Sequence, residues 1–208
     1  MKQSADLETA LRPFLPDGAL NLACEKLREY PHHLIITQPR ATKHGDFTAN
    51  PMSGRHTITV NGNLNQYAFL ITLMHELAHL TCYLKHQDHV RPHGNEWKSE
   101  FRQTLSPFLR VGVFPEDIAR AVSKYLNNPA AATCSDLGLS KVLTRYDKKS
   151  HPDVKLLDEL PRNARFVYGR DRKIFVKGER LRTRYRCFQE GTRYEYLFSP
   201  LVKIKQVG

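Results

Sequence analysis

His75-Glu76-Leu77-Ala78-His79, set within the run Tyr67–His86, is the stretch on which the reading of this chain turns. An α-helix advances about 100° per residue, so side chains four apart stand nearly above one another. On a helix, His75 and His79 therefore present two imidazoles on one face, with Glu76 beside them. Leu70, Leu73, Leu77, Leu80 and Leu84 recur at helical spacing on the opposite face and predict a core side. Asn63 or Asn65 suits the N-cap. H-E-x-x-H on a helix is the pattern of a zinc peptidase: two ligands plus a carboxylate that handles protons. A solvated His/Glu face is the plain alternative, and the clean apolar stripe argues against it.

Two imidazoles make a poor zinc site, because a catalytic zinc takes three protein ligands and keeps a fourth position for water. The downstream candidates are His86, His89, His93, Glu96 and Glu100. His86 sits on the same helix face but about 10 Å further along the axis, too far to close a tetrahedron unless the helix breaks early. His93 is better placed: it follows Arg91-Pro92, where a helix cannot continue, and precedes Gly94, so the chain can fold back. Glu96 and Glu100 fall on the next expected helix, Asn95–Leu105, and would make a glutamate-ligand design. Cys82, one turn past His79, reads as a small buried residue. The metzincin pattern fails, since its Gly and third His would fall on Cys82 and Lys85, and no Met follows Met74.

HELAH, a loop of 13 residues (Leu80–Pro92) and then His93-Gly94-Asn95-Glu96-Trp97 together resemble the SprT-like family, which includes the Spartan-type DNA–protein-crosslink proteases. The resemblance is good over about residues 1–128 and loose beyond. It implies a zincin-like protease domain that binds one catalytic zinc ion through His75, His79 and His93, with Glu76 as catalytic base. The chain departs from many relatives at its C-terminal end, where a zinc ribbon of paired cysteines is absent.

Composition is that of an ordinary globular protein, with 40% hydrophobic and 25% charged residues in 208. The net charge of +11 is unevenly placed. Residues 141–208 hold 18 of the 32 Lys and Arg and 8 of the 21 Asp and Glu, a net of +10, leaving the rest at +1. Such asymmetry points to a polyanionic partner. No signal-like or membrane-spanning apolar run is present, and the four scattered cysteines form no C-x-x-C, so reduced thiols in a cytoplasmic setting are expected, nucleoid-associated if bacterial.

Ahead of the motif, Ala5–Leu11 and Asp17–Glu29 predict helices and Leu34-Ile35-Ile36 a short strand. Thr42–Ala49 and Arg55–Val60 predict a hairpin about Asn50–Gly54, with His44 and His56 on its surface. In zincin-like architecture a strand beside the active helix can take an extended substrate by strand addition, and Arg55–Val60 is the expected one. After the motif, Trp97, Phe101 and Leu105 form a stripe that packs the next helix onto the core, and Phe114–Asn128 holds another helix. Pro129–Asp136 reads as a linker.

Ala164–Gly169, Lys173–Lys177, Leu181–Phe188 and Arg193–Phe198 alternate like strands, separated by turns at Gly169, Gly178 and Gly191. Arg180, Arg182, Arg184 and Arg186 alternate within one such run, and on a single strand they would share one face. Tyr168, Phe175, Tyr194 and Tyr196 lie nearby. This combination suits nucleic acid, phosphates to the arginines and bases to the rings, with single-stranded or irregular DNA as the expected partner. A sheet this small usually needs a staple, so docking on the first domain is expected.

The whole predicts an α+β chain: a protease domain over 1–128, a connecting segment over 129–160 and a basic antiparallel β-sheet appendage over 161–208. The expected activity is cleavage of DNA-bound or DNA-crosslinked protein. A nucleic-acid-binding, transcription-associated protein with a structural or weakly active zinc site is one alternative, and a hydrolase of small substrates another.

Overall fold

Helix α3, Gln66–His86, organises the first part of the molecule. Its N-cap is Asn65, whose side chain accepts from the Ala68 amide at 3.0 Å. The computed structural model describes residues 2–40, 43–129, 136–147, 153–169 and 171–207, with backbone alone for residues 2–5. α3 is not the two-faced helix that its leucine stripe predicts. Every side chain from Ala68 to Ala78 is buried, His75 and Glu76 included, while Leu84 near its end is 40% exposed. A helix apolar nearly all round belongs inside a core. Here a sheet covers one side and a second helix the other.

That sheet has three strands, β1 (His32–Thr37), β2 (Gly45–Thr48) and β3 (His56–Asn61), in the order β1-β3-β2. β3 runs parallel to β1 and pairs antiparallel with β2, Gly45 opposite Val60 and Thr48 opposite Thr57, so the expected hairpin forms. Being central, β3 has no free edge. Arg55–Val60 therefore cannot take a substrate strand by addition; the edge beside α3 belongs to β2. His56, expected on the surface, is 4% exposed, accepts from the Asn50 amide at 3.1 Å and packs against Phe47 and Tyr83. Its place opposite the helix on the inward side of a β-branched strand explains the burial.

Helices α1 (Lys2–Leu11) and α2 (Leu20–Arg28) supply Leu11, Ala23, Cys24 and Leu27 to the same core. Beyond α3 come α4 (Asn95–Arg110), α5 (Glu116–Asn127) and α6 (Leu137–Thr144). The stripe Trp97, Phe101, Leu105 is fully buried, and each such side chain contributes roughly 1.5–3 kcal/mol. α6 falls where a connecting segment is expected. Its Leu139 and Leu143 join the core, and Asn65 Nδ2 donates to the Leu143 carbonyl at 2.9 Å and to Asp147 at 2.8 Å. The chain divides into two units, Met1–Asp147 and Lys148–Gly208, so the first reaches well past residue 128. Most of the Pro129–Asp136 linker lies outside the described residues.

The second unit is a six-stranded antiparallel sheet, order β4-β9-β5-β6-β7-β8: β4 Val154–Leu156, β5 Arg165–Tyr168, β6 Lys173–Arg180, β7 Tyr185–Gln189, β8 Glu195–Phe198 and β9 Lys203–Val207. Leu157, Leu160, Phe166, Phe175, Tyr185, Cys187, Phe198 and Ile204 form its core. Two expectations are overturned here. Gly178 is not a turn but a mid-strand position where the β6–β7 register shifts, and any Cβ there would press on the Arg186 backbone and the Phe188 ring. The turn lies instead at Leu181–Arg184, closed by Leu181 N–H donating to the Arg184 carbonyl at 2.8 Å. The four arginines therefore do not line one strand face. Arg180 ends β6 opposite Tyr185, Arg182 and Arg184 sit in the turn, and Arg186 on β7 points away from Tyr185's side.

Candidate metal centre

α3 holds His75 and His79 one turn apart, and the chain then reverses. Gln87 caps the helix with a positive φ of 51°, its amide donating to the Tyr83 carbonyl. A second turn, closed by Gly94 N–H to the Arg91 carbonyl at 2.9 Å, carries His93 with φ 58°. That left-handed backbone is uncommon for a side-chain-bearing residue and is typically kept where surrounding structure demands it. The outcome is a cluster. Among the described residues, His75, His79 and His93 form the group whose candidate ligand atoms all lie within 4.8 Å of one another.

The remaining candidates are placed elsewhere. Glu100 is buried and takes both its oxygens to Lys85 Nζ, at 2.7 and 2.9 Å. Glu96, His86, His89 and Cys82 are outside the cluster.

His79 Nε2 and His93 Nε2 stand 2.9 Å apart. Ligands of a tetrahedral ion bound at about 2.0–2.1 Å lie about 3.3 Å from each other, so the pair is within a few tenths of an ångström of that spacing. Charge state fits as well. Burial, with the neighbouring imidazoles, pushes His75 down to about 2, and burial with His93 pushes His79 down to about 3. Burial lowers His93 too. All three are neutral at ordinary pH, the form that ligates metal. The donor set fits a divalent ion of the kind imidazoles bind.

Trp97 floors this cluster. It is 1% exposed, and its ring centroid lies 4.6 Å from His75, 5.2 Å from His79 and 4.7 Å from His93, with Phe101 stacked behind at 5.1 Å. Phe47 lies parallel to His79 at 6.4 Å. These contacts fix the ring planes. The helical stripe explains why Trp97 is buried; nothing in sequence shows that it touches all three imidazoles.

Glu76 is 6% exposed. Burial, reinforced by Asp46 and opposed by Arg40 and Lys43, pushes its carboxyl up to about 8. Gly45, on the edge strand, makes room for it: a Cβ there would sit 2.5 Å from Glu76 Oε1 and 2.7 Å from Thr72 Cγ2. Asn61 ties Arg40 and Lys43 to the end of β3. Buried at the end of β3, it accepts from Thr37 Oγ1 and Arg40 Nε at 3.1 and 2.8 Å and donates to the Arg40 and Lys43 carbonyls at 3.2 and 2.9 Å. Sequence reasoning missed Arg40, Gly45 and Asn61. The glycine inside a β-like run was the one available signal.

The four C-terminal arginines are not brought together. Arg180 pairs with Asp158 at 3.3 Å, Arg186 with Glu179 at 3.1 Å and Glu195 at 3.6 Å, and Arg184 donates to the Leu197 carbonyl at 3.3 Å. Arg182 and Arg193 are exposed, with no side-chain partner among the described residues.

A trio of imidazoles, one buried and two half-buried, on a helix and a following turn, with a carboxylate one residue along the helix, defines a class of α+β domain able to hold a metal ion. Residues 19–114 match the SprT-like family. Over 120 residues the chain is 39% identical to Protein SprT of Cronobacter sakazakii (strain ATCC BAA-894), covering 55% of this chain and 69% of that one. The chain belongs to the SprT-like family. No solved structure matches it. No helix among the described residues is long and apolar enough to cross a membrane.

Proposed function

We propose that this chain is a zinc-dependent endopeptidase that acts on proteins bound or crosslinked to DNA. The observation that carries the reading is the convergence of three neutral imidazoles beside a buried carboxylate. A zinc ion held by His75, His79 and His93 supplies a Lewis acid and a water of lowered pKa. Glu76 takes the proton of the attacking water and later delivers it to the departing amide nitrogen. An extended peptide pairs with the outer edge of β2, the edge strand beside α3. The three aromatic rings of Phe47, Trp97 and Phe101 keep the imidazoles in place and limit water.

Recruitment to DNA rests on the +10 charge of residues 141–208 and on aromatic side chains open to solvent, Tyr194 at 68% and Tyr168 at 43%. With Arg180 and Arg186 already in exposed ion pairs, contact is spread over the unit instead of along one arginine row. A second reading, a nucleic-acid binder with a weakly active metal site, uses the same basic unit and differs in whether the imidazole site cleaves peptide.

One experiment separates them. Metal content and cleavage of histone or casein, with and without single-stranded DNA, are measured for wild type, Glu76→Gln and His93→Ala. Wild type should carry one zinc and cleave faster with DNA. Glu76→Gln should keep its zinc and lose at least about 100-fold in rate, and His93→Ala should lose the metal. A wild type that holds zinc, cleaves neither substrate and binds single-stranded DNA with an affinity that falls steeply as salt rises would favour the second reading.

A further inference from the structure

The sheet of the second unit has two faces, and one of them carries the core. Register fixes what stands on the other. Arg165 lies opposite Val176, Val176 opposite Phe188, and Arg186 opposite Leu197. Directly opposed residues point the same way and alternation adds Ile174, so these six share the second face. Ile174 and Val176 are half-buried but do not pack on the core, whose partly buried neighbours among the described residues are Ala164 and Val202. Phe188 is 40% exposed and Leu197 54%. An apolar patch left open in this way marks a binding surface.

Charge says what fits there. Residues 148–208 hold 16 Lys and Arg against 7 Asp and Glu, a net of +9. Two copies meeting on this face would set +9 against +9, which opposes a dimer and favours a polyanion. Strand β7 has five residues and spans about 17 Å. Exposed arginines flank it, Arg182 in the turn before and Arg193 in the turn after, neither with a side-chain partner among the described residues. Between them, Arg186 is held by exposed pairs to Glu179 and Glu195 at 3.1 and 3.6 Å, contacts weak enough for a phosphate to replace. Phe188 is set for stacking. Its Cε2 lies 3.0 Å from where a Cβ at residue 178 would stand, so the ring reaches over a glycine with no side chain beneath it.

We propose that a single strand of DNA runs along β7 on this face, with a base stacked on the Phe188 ring, a neighbouring base against Leu197, and phosphates at Arg182, Arg186 and Arg193. The inference rests on the recruitment to DNA proposed above, and it names the surface and the form of the DNA. A duplex fits poorly. Its base faces are stacked inside, where a sheet cannot reach them, whereas an unpaired base offers its π-face to any open ring. Rings on the opposite face are less available: Phe175 and Phe198 are buried, and Tyr196 packs edge-on against Phe175 at 5.3 Å.

The test measures the affinity of the full chain for a labelled oligothymidylate and for a duplex of equal length, each over a range of salt concentrations. Phe188→Leu keeps an apolar side chain over Gly178 but removes the π-face, and Phe188→Tyr keeps the ring. Loss of one stacked base should weaken oligothymidylate binding by about 5- to 150-fold in Phe188→Leu, with the salt dependence unchanged. Phe188→Tyr should stay close to wild type, and Leu197→Ser, at an exposed site, should weaken binding as well. Arg182→Ala and Arg193→Ala should each lower the slope of log affinity against log salt by about 0.7. Unchanged affinity in both Phe188→Leu and Leu197→Ser overturns this surface, as does a duplex bound as tightly as the single strand. Loss in Tyr168→Ala without loss in Phe188→Leu puts the strand on the opposite face and overturns it too, while recruitment to DNA survives. Polyglutamate that competes as well as oligothymidylate, or a dimer that Leu197→Ser breaks without effect on DNA, shows a different occupant and also overturns it. A wild type that binds no DNA overturns recruitment and this surface together.

Discussion

Gly45→Ala is the sharpest single perturbation the fold offers. A Cβ at residue 45 would stand 2.5 Å from Glu76 Oε1, 2.8 Å from Glu76 Cγ and 2.7 Å from Thr72 Cγ2, against ordinary contact that begins near 3.4 Å. Relief requires about 0.9 Å of movement, by the edge strand outward or by Glu76. The strand is tied by its pairing with β3 and by Asn61 N–H to the His44 carbonyl at 2.8 Å, so Glu76 is expected to share the shift. Overpacking of this kind costs about 1–3 kcal/mol. At about 2–4 °C per kcal/mol for a protein of this size, the melting temperature should fall by several degrees. A misplacement of about 1 Å in a reacting group costs roughly 100-fold, or about 2.7 kcal/mol of activation free energy. Melting and peptide-cleavage assays on Gly45→Ala and Gly45→Ala/Thr72→Ala separate the two effects. Thr72→Ala removes the Cγ2 contact but neither contact to Glu76, so stability should partly return while kcat does not. A single variant with wild-type kcat and melting temperature would show that Gly45 does not shape the seat of Glu76.

Without metal, folding stability should peak near pH 6.5. His75 and His79, held near 2 and 3, refuse protons that the unfolded chain takes up below about 6.5, so each loses about 2 kcal/mol between pH 6.5 and 5 as pH falls. Glu76 has the opposite sign: held near 8, it keeps a proton that the unfolded chain releases, which costs about 2 kcal/mol between pH 6.5 and 8 as pH rises. Denaturant unfolding of chelator-treated protein, followed by its sole tryptophan, Trp97, checks both limbs, and a flat alkaline limb would contradict the buried state of Glu76. In the second unit, Lys177 is 3% exposed, donates to the Leu160 and Asp158 carbonyls at 2.5 and 3.3 Å, and lies 4.0 Å above the Tyr185 ring. Lys177→Met should cost about 2–4 kcal/mol there and admit protease within residues 153–207 while the Trp97 transition is unmoved; equal protease resistance would refute it.

Much of the candidate metal centre was legible because it is written in local geometry. Helical spacing places His75 over His79, and Pro92 with Gly94 forces the reversal that returns His93. What the motif could not show is the setting. The leucine stripe implies one core face, yet α3 is enclosed by both β3 and α4, so His75 and Glu76 are buried and their proton affinities displaced. Arg40, Gly45 and Asn61 act across strands and loops, and such contacts leave no period in the sequence.

The second unit shows how a sound rule fails when its premise does. Alternation puts every second residue on one face only while the chain stays a strand. Between Arg180 and Tyr185 it reverses with no Gly, Pro or Asn to mark the turn, whereas Gly178, which has the look of a turn, serves the close approach of β7. The same reversal sets Arg180 beside Tyr185 and Asp158, on the side where Lys177 satisfies two carbonyls. Cations that the sequence offers to a polyanion are thus partly engaged in closing a small core. Charge that stabilises the sheet is not available in full to a partner, and under the proposed DNA recruitment the affinity should follow the cations that are exposed and unpaired among the described residues, such as Arg182 and Arg193, more closely than the arginine count.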